Sequence, residues 1–281
     1  MWTLRAMVLS LMALLALSSV IEANEGLENR GPITILSDAD FTVGNGVRGG
    51  AGTIDDPYII SDWLIDAEQG SHCILIENVS SVFRIARCVL VGASGYAAKL
   101  IGVERAEIVE TCISTSLFGV LLELCRQCHI RDCSFDEIGW TAVTLVVSTS
   151  CQVDGCLFVE GKWAIVLRES SIGNKLIGNV VLPEIGTAIR IEAQCGGNLI
   201  ALNDFHTAWC YSDSYNRWSN SEGRGNYWSR YKGKDQDADG VGDTHATMLG
   251  GTREVDQHPA MAPHHPQAET EWYLCGPKES N

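Results

Sequence analysis

Six short segments of this chain end alike at a nearly constant interval. Ile85-Ala-Arg-Cys88, Val109-Glu-Thr-Cys112, Ile130-Arg-Asp-Cys133 and Val153-Asp-Gly-Cys156 are followed by Leu176-Ile-Gly-Asn179 and Ile200-Ala-Leu-Asn203, at steps of 24, 21, 23, 23 and 24 residues. Within each interval a glycine precedes a short alternating run, at Gly119, Gly139, Gly161 and Gly186. These runs are β-branched with a period of two and lack the 3.6-residue period of an amphipathic helix. A unit this short cannot bury an apolar face alone, so it folds only by stacking on its neighbours. Each interval is predicted to form one coil of about three strands, ~4.8 Å from the next through parallel hydrogen bonds.

Stacking lines up equivalent residues. The Cys or Asn that closes each segment forms one predicted ladder: Cys88, Cys112, Cys133, Cys156, Asn179, Asn203. A second lies five residues upstream, through Cys128, Cys151, Asn174 and Asn198. An inward Asn at a coil corner can bond the backbone and its stacked neighbour, and Cys fills a similar small volume as a weakly polar group. Two other readings stay open. Cys125, Cys128, Cys133, Cys151 and Cys156 lie close enough in a stacked coil to offer sulfurs to Cu(I) or zinc. Disulfides are the third reading, with eleven cysteines leaving at least one unpaired in a monomer.

The first residues carry one cation, Arg5, an apolar run from Ala6 to Ile21 and small Ala23, the pattern of a secretory signal over residues 1–23. An uncleaved anchor is the alternative, and no later apolar run is long enough to span a bilayer. The expected location is secreted, periplasmic or cell-surface. A net charge of −15 with no basic patch makes nucleic acid an unsuitable partner. Residues 24–57 are expected to form an N-terminal cap, 58–205 the repeats, and 206–281 a C-terminal cap ending in a flexible tail.

That last segment contains an acidic loop, Asp235 to Thr244. Asp235, Asp237 and Asp239 are spaced as the first, third and fifth ligands of a calcium loop, with a Val241 carbonyl and Asp243 following. The twelfth position is Ala246, where an EF-hand needs a bidentate Glu, so a closing ligand has to come from elsewhere, with Asp256 or Glu254 as candidates. The expected role of calcium is to staple the cap. Trp209, Tyr211, Tyr215, Trp218, Tyr227, Trp228 and Tyr231 are expected to cover the last coil, with sugar stacking as the alternative. His258, Met261, His264 and His265 could hold copper, although the surrounding Pro/His composition reads as a flexible linker. His72, His129, His206 and His245 stand alone in the sequence.

Catalysis on such a scaffold needs paired carboxylates, or a cluster with an Arg or Lys base, on an outward face. With Ile189, Ile165, Val143 and Leu122 inward, the outward columns are predicted as Glu123, Thr144, Val166, Arg190 and Cys125, Val146, Arg168, Glu192. Arg168 and Arg190 are the candidate bases of a polysaccharide lyase or hydrolase. A surface salt-bridge patch with Glu192 explains the same residues.

Gly225-Asn-Tyr-Trp-Ser-Arg-Tyr231, the acidic loop, Val255-Asp256 and Pro259 resemble the end of right-handed parallel β-helix proteins of the periplasmic copper-binding NosD type. Residues 32–67 are similar to the beginning of the same domain. The resemblance implies a right-handed β-helix throughout the exported chain, of about six or seven coils by repeat count. It also implies copper handling as one function, although members range from copper-enzyme maturation factors to surface proteins, and fold alone does not fix function. The leading expectation is a non-catalytic protein that binds a glycan or protein at the cell envelope or acts as a scaffold there. Copper handling and polysaccharide cleavage are the alternatives.

Overall fold

The solenoid is made at its corners. The computed structural model describes residues 26–206 and 209–266, which wind into a right-handed parallel β-helix of about seven turns. At one corner the residue before each ladder position takes a left-handed backbone: Arg87, Glu110, Asp132, Gly155, Gly178 and Leu202, with φ between 49° and 66°. That conformation turns the chain and sends the next side chain inward. Glycine adopts it freely, as at Gly155 and Gly178, whereas the other four bear a steric cost of about 1 kcal/mol each. Gln127, Ser150, Gly173 and Gly197 repeat the device before the second ladder.

Between corners the strands are short and join three sheets. A nine-stranded sheet runs from Glu28–Arg30 to Tyr227–Trp228, and an eight-stranded sheet contains Phe83–Ala86, Glu107–Val109, His129–Arg131, Gln152–Asp154, Lys175–Ile177 and Leu199–Ala201. The third, here called the long face, also has eight strands, including Tyr96–Ile101, Phe118–Glu123, Ile138–Val146, Gly161–Arg168, Ile185–Ile191 and Cys210–Ser212. Pairing from coil to coil is parallel, and among the described residues antiparallel strand pairs form where Val47–Gly49 meets Tyr58–Ser61 and where Ala246–Thr247 meets Val255–Asp256, with an isolated antiparallel bridge between Val241 and Ala260. Inward residues stack in columns: Ile85, Ile108, Ile130, Val153, Leu176 and Ile200 on one wall, and Val120, Val143, Ile165 and Ile189 on another. Phe135 and Phe158 stack at 5.0 Å between centroids with their rings nearly parallel. All of these residues are almost fully buried, so the core runs as one rod through the coils. No helix among the described residues is long and apolar enough to cross a membrane. The predicted signal, residues 1–23, lies outside the described residues.

The corner ladders follow the prediction with one correction. Ile85 pairs with Ile108, so the first ladder passes through Thr111, and Cys112 sits one step outward opposite Val89 and Ser134. The Thr111 hydroxyl accepts from the amide of Cys88 at 3.4 Å. The alignment on cysteine misled because side-chain chemistry is loosely specified at a position where Cys, Thr and Asn all serve. Cys112 is disulfide-bonded, whereas Cys88, Cys128, Cys133, Cys151 and Cys156 are free and buried.

Each rung joins two coils. The side chain of Asn179 donates to the Val153 carbonyl of the coil before, while its Oδ1 accepts the amide of Cys156. Asn203 does the same for Leu176 and Asn179. Where the rung is Cys, the thiol takes the donor's part: Cys133 reaches the Ile108 carbonyl at 3.5 Å and Cys156 the Ile130 carbonyl at 3.8 Å. Asn is the stronger rung because it both donates and accepts. Replacing Asn203 by Ala strands several buried partners, so it should cost about 3 kcal/mol or more in urea unfolding, whereas Cys133→Ser should cost no more than about 1.5 kcal/mol.

Candidate functional site

Both ladders end in a carboxylate. The first continues from Asn203 to Asn226, whose amide donates to Asp256 Oδ2 at 2.7 Å. The second continues from Asn198 to Asn216, whose amide donates to Glu254 Oε1. Glu254 immediately precedes the short strand Val255–Asp256, and the side chains of Glu254 and Asp256, either side of Val255, both reach the end of the solenoid. Asp256 is fully buried and also accepts from the Trp228 indole at 3.0 Å and the amide of His258 at 3.0 Å. Glu254 also takes the Trp218 indole at 3.2 Å. A terminal Asn amide group needs an acceptor that is not itself a donor, and an ionised carboxylate supplies it. These two acids therefore close the ladders and are committed to it, which corrects the expectation that one of them completes the acidic loop. Asn216 and Asn226 were missed because the step to Asn216 is short and the repeat motif had already faded. Gly225 belongs to the same closure, since a Cβ there would lie 2.1 Å from Asp256 Oδ1.

Asp235, Asp237 and Asp239 place carboxylate oxygens within 4.8 Å of one another, the one such group of His, Cys, Asp and Glu among the described residues. Asp235 accepts from the amides of Asp239 and Gly240, Asp239 from Val241, and Asp243 from Gln236. The negative charge of Asp239, foremost, raises the Asp237 carboxyl above its ordinary value. Oxygen-only donors in a tight loop fit a hard cation of the calcium type.

The sulfurs are arranged differently. Cys125, Cys128 and Cys151 form a row of interacting thiols across two coils. The interaction with Cys125 first, and then with Cys151, draws the Cys128 thiol down, while the outer two are pushed up by Cys128 and by burial. Burial foremost, and then Cys133, push the Cys156 thiol up. Each also donates to backbone carbonyls, Cys125 to Leu100 at 3.4 Å and Cys128 to Val103 at 3.6 Å. Burial, foremost, pushes Cys88 up to about 11 and Cys73 up to about 12, with the nearby charges of Asp62 and Asp66 adding to it. Those two thiols are held in conditions that keep them protonated.

The histidine segment packs on the last coil where a flexible linker was expected. Buried Asp204 accepts the amides of His264 at 2.8 Å and His265 at 2.7 Å, and the His265 ring at 3.1 Å. The His264 ring meets the Gly225 carbonyl and the His258 ring meets Ser219. Burial lowers the His264 pKa. His129, which looked solitary, pairs with Asp154.

The outward surface of the long face has its own register. Lys99, Leu121, Thr144, Val166 and Arg190 form one column, and Ile101, Glu123, Val146 and Arg168 form the next. Leu121 thus stands where Glu123 was predicted, and Cys125 lies inside, its amide bonded to Ser148. Arg168 meets Glu192 at 3.1 Å, within the patch expected from the sequence, whereas Arg190 approaches Asp213, outside that patch, at 3.9 Å. Beside these columns runs an aromatic strip. Tyr96 and Phe118 stack at 4.7 Å, and Trp140 and Trp163 meet edge-on at 5.5 Å. A bulge between Ile138 and Thr141 carries Trp140 outward, where it remains 40% exposed. Lys162 lies 3.4 Å above the Trp140 ring. Sequence inspection passed over this strip because its members fall on different coils and only the pairing brings them together.

Comparison with known proteins adds two findings. Residues 142–233 match the family described as periplasmic copper-binding protein (NosD). No curated protein matches the chain. Among solved structures, an alginate lyase from Paenibacillus sp. superposes with a TM-score of 0.53 over 70% of this chain and 76% of that one, at 13% identity. At that identity the likeness is one of fold.

Burial, opposed by its hydrogen bonds, raises the Asp256 carboxyl above its ordinary value. Between the ordinary and the raised value the folded state holds a proton that the unfolded chain has released, so this group favours folding at low pH and loses that contribution as pH rises through the folded value, above which the carboxylate is ionised. Compared with Asp256→Asn by urea unfolding across a pH series, the native protein should lose stability relative to the variant above about pH 4, the ordinary carboxylate value. Parallel stability curves for the two would refute this role of the charge.

Proposed function

We propose that the protein is an exported, non-catalytic β-helix that binds an acidic glycan of the cell envelope along the long face. The observation that carries this is the strip of Tyr96, Phe118, Trp140 and Trp163 flanked by Lys99, Lys162, Arg168 and Arg190, on a chain whose net charge is −15. Rings with one exposed side stack on the apolar faces of sugars, and cations beside them select polymers bearing carboxylates. The coil repeat of ~4.8 Å suits an extended polymer lying across successive rungs. Arg168 and Arg190 serve here as anion contacts held in place by Glu192 and Asp213. Calcium bound by Asp235, Asp237 and Asp239, with Asp243 and the Val241 carbonyl, would hold the loop and complete the cap.

Copper handling is the second reading, favoured by the family match. Its ligands would be Cys128 with Cys125 or Cys151, which would first have to leave their carbonyl partners. Elemental content of the protein purified without chelator separates the metals: calcium near one per chain supports the clip, and stoichiometric copper supports the sulfur row. Calcium removal or Asp237→Asn should lower the melting temperature by several degrees, and an unchanged melting temperature would dismiss the clip.

In affinity electrophoresis, the protein should be retarded by alginate or polygalacturonate and not by dextran. Trp163→Ala with Lys162→Ala should weaken retention about tenfold. Loss of retardation in no variant, or equal retardation by dextran, would overturn the glycan reading. Release of unsaturated uronate ends would instead establish lyase activity, with Arg168 and Arg190 the first residues to substitute.

A further inference from the structure

At the C-terminal end of the long face a cavity of about 440 Å3 opens between the last strand and the returning tail. Its lining combines three kinds of chemistry. Trp209, Trp228 and Tyr231 supply aromatic rings, Arg230, Lys232 and His245 supply cationic or ionisable nitrogens, and Met248 and Leu249 close the apolar side. Among the described residues no carboxylate lines it. On a chain with 35 acidic residues against 20 Lys and Arg, a cavity lined by these nitrogens and no acid is a local reversal of charge.

The parts are held for contact. Trp209 remains 42% exposed and the Arg230 guanidinium lies 5.0 Å from its ring centroid. The Trp228 indole is fixed by Asp256, and the Tyr231 hydroxyl by Thr244. The acidic loop leaves the cavity after Gly233 and returns at Thr244. Its carboxylates Asp235, Asp239 and Asp243 are turned to their own backbone amides.

We propose that this cavity binds a single six-membered ring carrying one carboxylate, the chemistry of a hexuronic acid. Its size suits one or two such rings and not a long polymer. The ring would stack on Trp209 and the carboxylate would meet Arg230, whose planar fork matches a carboxylate in two hydrogen bonds. Lys232 adds positive potential around that anion. This site is separate from the long-face strip and stands or falls apart from it.

The test is a titration of the full chain, following tryptophan fluorescence, with glucuronate, glucose and acetate as separate probes. A saturable change with glucuronate, at least tenfold weaker for glucose and for acetate, is the expected result. Arg230→Met and Trp209→Leu should each weaken glucuronate binding about tenfold, whereas Trp163→Ala on the long face should leave it unchanged. Both substituted side chains are exposed, and an unchanged melting temperature verifies that the variants fold. A short oligouronide distinguishes the source of the ring: binding as tight as the monosaccharide or tighter identifies a chain end, and weaker binding identifies a free acid. No saturable change, an equal response to glucose, or full affinity in both cavity variants would overturn the proposal.

Discussion

The structure depends on one exchange repeated at each corner: an inward side chain donates to a carbonyl of the coil before it and accepts an amide from the same direction. Within a solenoid each coil touches only its neighbours, so every coil is only as secure as its bonds to the two beside it. Strand pairing supplies most of those bonds, but at the corners the backbone leaves its sheets and its amides and carbonyls turn into the core. Asn174, Asn179, Asn198 and Asn203 satisfy them, and where the column carries Cys or Thr the same task is done with fewer bonds. The left-handed residues that precede the rungs are tolerated because the rung fixes the corner in place.

Much of this was legible in the sequence. Spacing and alternation point to parallel coils, and the interchange of Cys with Asn identifies inward corner positions before any coordinates are known. Register was less legible. Thr111 and Cys112 are adjacent, and only the pairing of Ile85 with Ile108 decides which one enters the ladder. In the same way Leu121, not Glu123, shares a column with Thr144, because loop lengths between strands vary while strand pairing does not. The aromatic strip and the terminal cavity are assembled from residues on separate coils, and no local pattern announces them. The paired endings at Glu254 and Asp256 were also beyond reach, since they come from a segment outside the repeat.

The cysteines show how one residue type divides between chemistries. Their number and spacing suggest soft-metal ligands, and the match of residues 142–233 to a copper-binding family makes that suggestion stronger. In place, each ladder thiol is buried, bonded to a carbonyl and surrounded by apolar columns. A metal would have to take over bonds that hold neighbouring coils together. Hard-ion chemistry faces no such competition in the acidic loop, which lies on the surface and whose carboxylates bond to the loop's own amides.

The carboxylates that close the ladders also decide what the far end of the rod can meet. A β-helix whose final rung were Asn would present free amide donors and open strand edges to solvent, an invitation to the first coil of another molecule. Glu254 and Asp256 occupy those donors, and the tail that carries them lies across the edge. Head-to-tail stacking of two such rods would bring new carbonyls against buried negative charge, which repels them. The molecule is thereby given a fixed length, and the same two acids that finish its folding keep it from growing into a fibre.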